Sequence, residues 1–377
     1  MNYRRLGNTN IELSVLGFGA MRLPEIKIGE KMIADEEKSV ELIRFAIDSG
    51  INLIDTAYFY HQHRSEYIVG AAIKNGYRDR AYISTKIPTG EIKQPDDFER
   101  FLDEQLSRLN IATIDIYHFH YLNQKLFEEK IKKLDLIKRA ERAKAEGKIR
   151  HLAFSFHDKP EVLKTIIDSG WFESMLVQYN MIDRSNEAMI QYAAEKGMGV
   201  VIMGPVGGGR LGEPSEAIIN MLPKRKLSTA GIALKFVFAN PYITGALSGM
   251  NSIQMIQQNI KTASEKDSLT EAEIERINLL VQEYQAFANL YCTGCNYCMP
   301  CPQEVNIPLN FRLMNYYRVY QLPEYARKEY AMIGKVPWLP GKTAEYCIAC
   351  GECEPKCPQN IPIISQLQEV MQTLGEK

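Results

Sequence analysis

Not one cysteine occurs in the first 291 residues of this chain, so no disulfide framework and no thiolate metal site can belong to that part. No run approaches the eighteen or so uninterrupted apolar residues that a membrane-spanning helix needs. The opening Met1-Asn2-Tyr3-Arg4-Arg5-Leu6-Gly7 lacks the apolar stretch of a secretory leader, and a cytoplasmic location is the expectation. An excess of charge is also missing: 45 Lys and Arg stand against 46 Asp and Glu, a net of −1. That balance argues against a basic nucleic-acid binder and against an acidic tail. What the 377 residues do have is an ordinary apolar fraction of 45%, enough for one large or two medium domains with real cores.

Short apolar runs recur at 15–19, 52–56, 81–87, 114–121, 149–155, 174–179, 199–206 and 243–249. Between them lie segments with helical spacing at 36–49, 65–74, 96–108, 126–145, 160–169, 186–196, 228–239 and 252–265. Strand and helix signals that alternate in this way predict parallel βα units, and continuous apolar strands fit a sheet covered on both faces. Eight such units in about 250 residues fit a closed (β/α)8 TIM barrel. The alternative, an open doubly wound sheet, opens with G-x-G-x-x-G; here Gly17 and Gly19 have no third glycine at the required spacing. Residues 2–13 read as a hairpin at the barrel's N-terminal end, and 270–290 as a helix leading out of it.

In a barrel the chemistry sits where strands end. Those ends bring Asp55, Tyr60, Lys86 and His120 from three adjacent strands. The set suits carbonyl reduction. A hydride arriving at a carbonyl leaves an alkoxide that needs a proton; a tyrosine can give it if a neighbouring ammonium lowers its ordinary pKa of about 10. Asp55 would hold Lys86, and His120 would orient the carbonyl oxygen. Singly, each residue has a structural reading: a loop cap for Asp55, a surface cation for Lys86, one of twenty tyrosines for Tyr60. His118, two residues back on the same face, rivals His120. His61 and His63 flank the tyrosine and could line a substrate pocket with Met21, Phe59, Tyr121 and Phe156, whereas His151 and His157 read as packing or loop residues.

The segment Asp55-Thr56-Ala57-Tyr58-Phe59-Tyr60, with Lys86 and His120 at the next strand ends, resembles the aldo-keto reductase superfamily over roughly residues 1–265. The resemblance implies that these four positions form a catalytic tetrad and that NAD or NADP lies across the barrel mouth. It implies contacts from Gly19 and Met21 after the first strand and from Ser155 and Gln178 to the nicotinamide carboxamide. It places the pyrophosphate near Gly204, Pro205, Gly207 and Arg210, and the adenosine end near Gly249, Met250, Asn251, Gln258 and Asn259. Close glycines admit backbone N–H groups to phosphate, although either glycine run could be a plain turn. The chain departs from the family at Phe156, where asparagine is common, at Met203, where an aromatic often stacks on the nicotinamide, and at Met255, where NADP-preferring members carry a basic residue.

All eight cysteines lie in the tail, as Cys292, Cys295, Cys298 and Cys301-Pro302, then Cys347, Cys350, Cys353 and Cys357-Pro358. The second run is C-x2-C-x2-C-x3-C-P, the bacterial ferredoxin pattern; the first is one residue shorter before its last cysteine. Both continue alike, Cys301-Pro-Gln-Glu-Val-Asn-Ile307 against Cys357-Pro-Gln-Asn-Ile-Pro-Ile363. Two copies predict two [4Fe–4S] clusters. With the fourth cysteine of each run crossing over, one cluster takes Cys292, Cys295, Cys298 and Cys357, and the other takes Cys301, Cys347, Cys350 and Cys353. Zinc ribbons and disulfides are the alternatives, disfavoured by the tandem spacing and the closing prolines. About 45 residues separate the runs, including a helical 311–320, which resembles a mainly α-helical ferredoxin-like domain.

The expected organisation is therefore a barrel at 1–285 and an iron–sulfur domain at 286–377. The combination resembles a subgroup of iron–sulfur aldo-keto reductases acting on a small carbonyl or alcohol substrate. Clusters pass single electrons and a nicotinamide takes a hydride, so a redox partner protein, a flavoprotein or a ferredoxin, or else a bound flavin, is expected between them, the alternative being clusters that are structural or sense redox state; neither nucleic acid nor membrane is expected as a partner. The competing reading is a non-catalytic redox sensor or electron relay that uses the barrel as a scaffold.

Overall fold

The computed structural model describes residues 1–29, 31–212, 215–285, 292, 294–318, 323–336 and 339–375, and not the side chains of 208–210, 217, 282–285, 324 and 325. It divides into two compact units, residues 1–206 with 226–271, and residues 207–225 with 272–377.

The first unit is a closed barrel of parallel strands, β1 Leu16–Gly19, β2 Leu53–Asp55, β3 Tyr82–Ile87, β4 Ile114–Leu122, β5 Ile149–Phe156, β6 Ser174–Gln178, β7 Gly199–Met203 and β8 Gly245–Ser248. Each pairs with its sequence neighbour, and β8 closes on β1 through Ala246–Leu16 and Ser248–Phe18. The connecting helices are α1 Glu36–Asp48, α2 Ser65–Ala72, α3 Asp97–Leu109, α4 Leu136–Ala145, α5 Pro160–Asp168, α6 Glu187–Glu195, α7 Thr229–Ala239 and α8 Ile253–Ser264. The strand periodicity is legible because both faces are buried: β3 has five consecutive buried residues and β4 seven. Inside, Leu53, Ile116, Ala153, Leu176, Val201 and Leu247 form one cluster with Leu6, Ile11 and Leu13. Those last three belong to the hairpin of Tyr3–Arg5 and Glu12–Ser14, which plugs the N-terminal end of the barrel as anticipated.

Two features depart from the sequence expectation. A second hairpin, Glu25–Ile28 with Lys31–Ala34, fills the β1–α1 connection. The expected helix 126–145 is broken: a wide turn at Phe127–Lys132 and a left-handed Asp135 (φ 51°) precede α4.

The second unit contains α9 Glu271–Gln285, α10 Ile307–Arg318, α11 Pro323–Ala331 and α12 Ile363–Leu374. Arg225 clasps Glu273 through two N–O contacts of 2.7 and 2.9 Å, joining 207–225 to α9. Phe311, Met314, Leu367 and Val370 form the core, with Cys292, Cys301, Cys347, Cys353 and Cys357 packed against it and Cys298 within it. The repeated Cys-Pro-Gln segments run into equivalent helices, α10 and α12. No helix of the described residues is long and apolar enough to cross a membrane.

Gly70 sets the approach of α2 to α3. A Cβ there would lie 2.6 Å from the Leu109 carbonyl oxygen and 2.8 Å from that of Arg108. Alanine normally favours a helix by about 1 kcal/mol over glycine, but here backbone must move. We expect Gly70→Ala to destabilise the protein by about 1–3 kcal/mol; a thermal melt equal to or above the parent's would contradict this packing.

Candidate active site and cluster ligands

Asp55 closes β2, Lys86 lies near the end of β3 and His120 near the end of β4. The Lys86 ammonium is 1% exposed. It donates to Asp55 Oδ1 at 2.5 Å and to the Thr56 carbonyl at 2.7 Å, while Ser84 Oγ donates to Asp55 Oδ2 at 2.7 Å. Burial pushes the Asp55 carboxyl up and the Lys86 ammonium down, and each charge opposes the other's shift.

The Lys86 Nζ is 5.0 Å from the centroid of the Tyr60 ring, and His120 meets that ring edge-to-face at 6.2 Å. Thus the structure brings all four of Asp55, Tyr60, Lys86 and His120 together. His118 is engaged elsewhere: its Nε2 is 3.0 Å from Ser84 Oγ. Burial pushes the His118 imidazole down to about 3 and the His120 imidazole well below its ordinary value, helped by Lys86; both are neutral. Burial, and secondarily the Asp55 carboxylate, holds the half-buried Tyr60 phenol above its ordinary pKa. The expectation that Lys86 depresses it is not met: burial outweighs any lowering by Lys86, whose ammonium lies over the ring and is bonded to Asp55.

Backbone shape presents these groups. A bulge interrupts the β4–β5 register between Phe119 and Leu122, and Tyr121 takes a left-handed φ of 61° with its N–H on Ser155 Oγ at 2.8 Å. Bulges of this kind re-aim side chains at sites. After Tyr60, His61, Gln62 and His63 are all left-handed, at φ 50°, 49° and 68°. Such strain persists only where surroundings hold it. His61 is held on both ring nitrogens: Nε2 accepts from the Leu23 N–H at 3.2 Å, and Nδ1 lies 3.4 Å from Glu25 of the second hairpin.

Gln178 ends β6 with its Nε2 buried and without a hydrogen-bond partner among the described residues. Gly204 beside it has φ 66°, and a Cβ there would lie 2.7 Å from that nitrogen. An unsatisfied amide donor beside a side-chain-free notch fits a carboxamide acceptor. Ser155 is buried, with its hydroxyl hydrogen left to donate. Gly19 is half-buried and Met21 exposed; Pro205 and Met250 are buried, and Asn251 and Gln258 exposed. Asn259 donates to Ser248 Oγ at 3.2 Å, and the Arg22 side chain lies 3.0 Å from a Cβ built on Gly249. Arg22 and the Ser84 link were not anticipated; Ser84 could have been found, since it shares a strand face with Lys86. Gly207 belongs to the second unit, and the Arg210 side chain lies outside the described residues.

The cysteines fall into two groups that cross the two runs. Burial and the neighbouring Cys292, Cys295 and Cys357 push the Cys298 thiol up to about 12. An enclosed cavity is lined by Cys301, Cys347, Cys350 and Cys353, and also reaches Cys298. Among the described residues no three His, Cys, Asp or Glu side chains converge closely enough to hold one metal ion. Each group supplies the four thiolates that a [4Fe–4S] cluster takes.

The Aldo/keto reductase family matches residues 15–282, and a 4Fe-4S dicluster domain matches 291–362. The chain belongs to the aldo/keto reductase family of oxidoreductases and carries a C-terminal 4Fe-4S dicluster domain. It is 28% identical over 309 residues to the uncharacterized oxidoreductase YqkF of Bacillus subtilis, covering 74% of this chain and 95% of the relative. It is 26% identical over 304 residues to L-galactose dehydrogenase of Arabidopsis thaliana, covering 73% and 93%. Among solved structures, the holo form of an aldo-keto reductase from Bacillus halodurans matches with a TM-score of 0.63 at 26% identity, covering 74% of this chain and 96% of that one.

The crossed grouping is testable. Anaerobically purified parent should carry about eight irons. Cys301→Ser and Cys353→Ser should lose the same EPR signal, and Cys298→Ser and Cys357→Ser the other. Pairing of Cys301→Ser with Cys298→Ser would contradict the grouping.

Proposed function

We propose that the chain is a reductase that interconverts a small carbonyl and its alcohol, with Tyr60 as general acid, using residues 1–285 for this chemistry and 286–377 for two [4Fe–4S] clusters. The observation that carries the reading is the meeting of the Tyr60 ring with Lys86 and His120 over the Asp55–Lys86 pair. The Arabidopsis relative, named as a dehydrogenase of L-galactose, supports alcohol–carbonyl chemistry.

A nicotinamide dinucleotide, NAD or NADP, supplies the hydride when bound. Gln178 and Ser155 would hold its carboxamide, and residues around Gly19, Met21, Gly204, Pro205, Gly249, Met250, Asn251, Gln258 and Asn259 of the same unit the rest. The chain's own groups do the remainder. His120, neutral through burial, donates a hydrogen bond to the substrate oxygen rather than a full charge. Tyr60 Oη gives its proton to the oxygen that becomes the alcohol. The Tyr60 phenol carries its proton at neutral pH, and the phenolate left when it is given up lies beside the Lys86 ammonium, 5.0 Å from the ring centroid and held by Asp55, which opposes the cost of burying that charge.

The clusters, ligated by Cys292, Cys295, Cys298 and Cys357 and by Cys301, Cys347, Cys350 and Cys353, would exchange single electrons with a flavoprotein or ferredoxin. A cytoplasmic setting accords with eight thiols in cluster spacing.

We expect Tyr60→Phe to reduce NAD(P)H-dependent turnover of an aldehyde panel by about 100-fold or more, with nucleotide difference spectra unchanged. A variant with full turnover would remove Tyr60 as the acid. If the parent neither binds nor oxidises the nucleotide while its clusters cycle normally, the sensor or relay reading holds instead.

A further inference from the structure

Among the described residues the chemistry above leaves two fully buried carboxylates unused: Asp115, paired with Arg78 and Arg150 near the start of β4, and Glu66. Glu66, on α2, is 0% exposed and sits behind the end of β3. Its Oε1 accepts from Thr85 Oγ1 at 2.7 Å and from Gln105 Nε2 at 2.5 Å, and its Oε2 from the Arg108 guanidinium at 3.1 Å. All three neighbours donate, so the ionised carboxylate is the form the site matches. The Gln105 amide also donates to the Lys86 carbonyl at 3.1 Å. Its orientation is fixed, because the Tyr117 hydroxyl of β4 donates to Gln105 Oε1 at 2.7 Å. Two hydrogen bonds therefore join Glu66 to the backbone of Lys86.

The same network reaches the loop that presents Tyr60. The Arg108 guanidinium lies 4.0 Å over the Tyr58 ring and 3.4 Å from the Tyr58 carbonyl. Arg108 also contacts Glu104 at 2.5 Å, and Glu104 accepts from the Tyr58 hydroxyl at 3.1 Å. Arg108 thus faces two carboxylates with one charge. If neutralising Arg108 were all that was required, Glu104 would suffice, so a second, fully buried carboxylate calls for another use.

We infer that Glu66 is a positioning residue of Lys86: through Thr85 and the Gln105 bond to the Lys86 carbonyl it fixes the end of β3, and its buried negative charge acts on the Lys86 ammonium from the other face of that strand. The inference rests on the reading of Lys86 as part of the active site. Lys86 contacts Asp55 from β2 and the Tyr60 ring from the following loop, and the other titratable groups whose charge would reach it are Glu66 from α2, behind the strand, His118 and His120 from β4, and His157 after β5. The imidazoles are neutral, His118 and His157 being pushed down to about 3, so the carboxylates carry the charge that opposes burial of the ammonium. Removing the Glu66 charge makes the protonated amine less favourable, and its titration must move to lower pH.

The test uses the full chain labelled with 13Cε-lysine, the Lys86 resonance being assigned by its loss in Lys86→Met. In Glu66→Gln the Lys86 titration midpoint should fall by about one pH unit. Where the parent reduces an aldehyde, the alkaline limb of kcat should move down with it while KM for the nucleotide is unchanged. Because Arg108 keeps Glu104, no buried charge is orphaned by this change. Glu66→Asp, which keeps the charge, should hold the midpoint near the parent's while lowering kcat through the broken clamp. An unmoved midpoint in a folded Glu66→Gln overturns the inference. Should Glu66→Gln fail to fold, Gln105→Leu decides: a kcat equal to the parent's overturns the positioning role, and a lowered kcat at unchanged nucleotide KM supports it. A parent that reduces no aldehyde defeats the reductase reading alone, since the Lys86 midpoint is read without turnover.

Discussion

Everything at the mouth of the barrel depends on one buried ion pair, Lys86 with Asp55. Taking an ammonium and a carboxylate out of water costs several kcal/mol each, and their attraction offsets this only when remaining hydrogen-bonding capacity is met. Here Ser84 and the Thr56 carbonyl meet it. The pair is therefore rigid, and the rigidity gives Tyr60 a fixed cationic floor. Around it burial favours the neutral forms of Tyr60, His118, His120 and His157, so Lys86 is the cation among these groups.

The tail poses a different electrostatic problem. Packing thiols into an apolar core disfavours the thiolate, and burial pushes the Cys298 and Cys353 thiols up. Iron reverses that preference, since a coordinated thiol is deprotonated outright. The core of the second unit packs directly against its cysteines.

Much of this was legible in the sequence, for identifiable reasons. The strands announce themselves because a barrel strand is apolar on both faces, and the meeting of Asp55, Tyr60, Lys86 and His120 because they lie at or just past the ends of neighbouring strands. Cysteine spacing is fixed by ligand geometry and survives any reading. Other parts left no pattern. Glu66, Gln105 and Arg108 occupy helix positions where a polar residue reads as solvent-facing; only the fold reveals that they face one another inside. The left-handed turn at His61–His63 contains no glycine, so nothing local marks it. The Glu25–Ala34 hairpin does alternate, with Gly29 at its turn, but it is short and both strands are largely exposed, which blurs the period. The partnership of β4 with a bulge at Tyr121 is a tertiary fact, set by Ser155 from the adjacent strand.

The central claim is that a hydride passes directly between a nicotinamide and a carbonyl carbon held under Tyr60. It is tested most directly by isotope tracing. With nicotinamide dideuterated at C4 and a carbonyl substrate in ordinary water, the account requires one deuterium on the new carbinol carbon. Product formed without that label, its hydrogen drawn from solvent through the clusters, would contradict it.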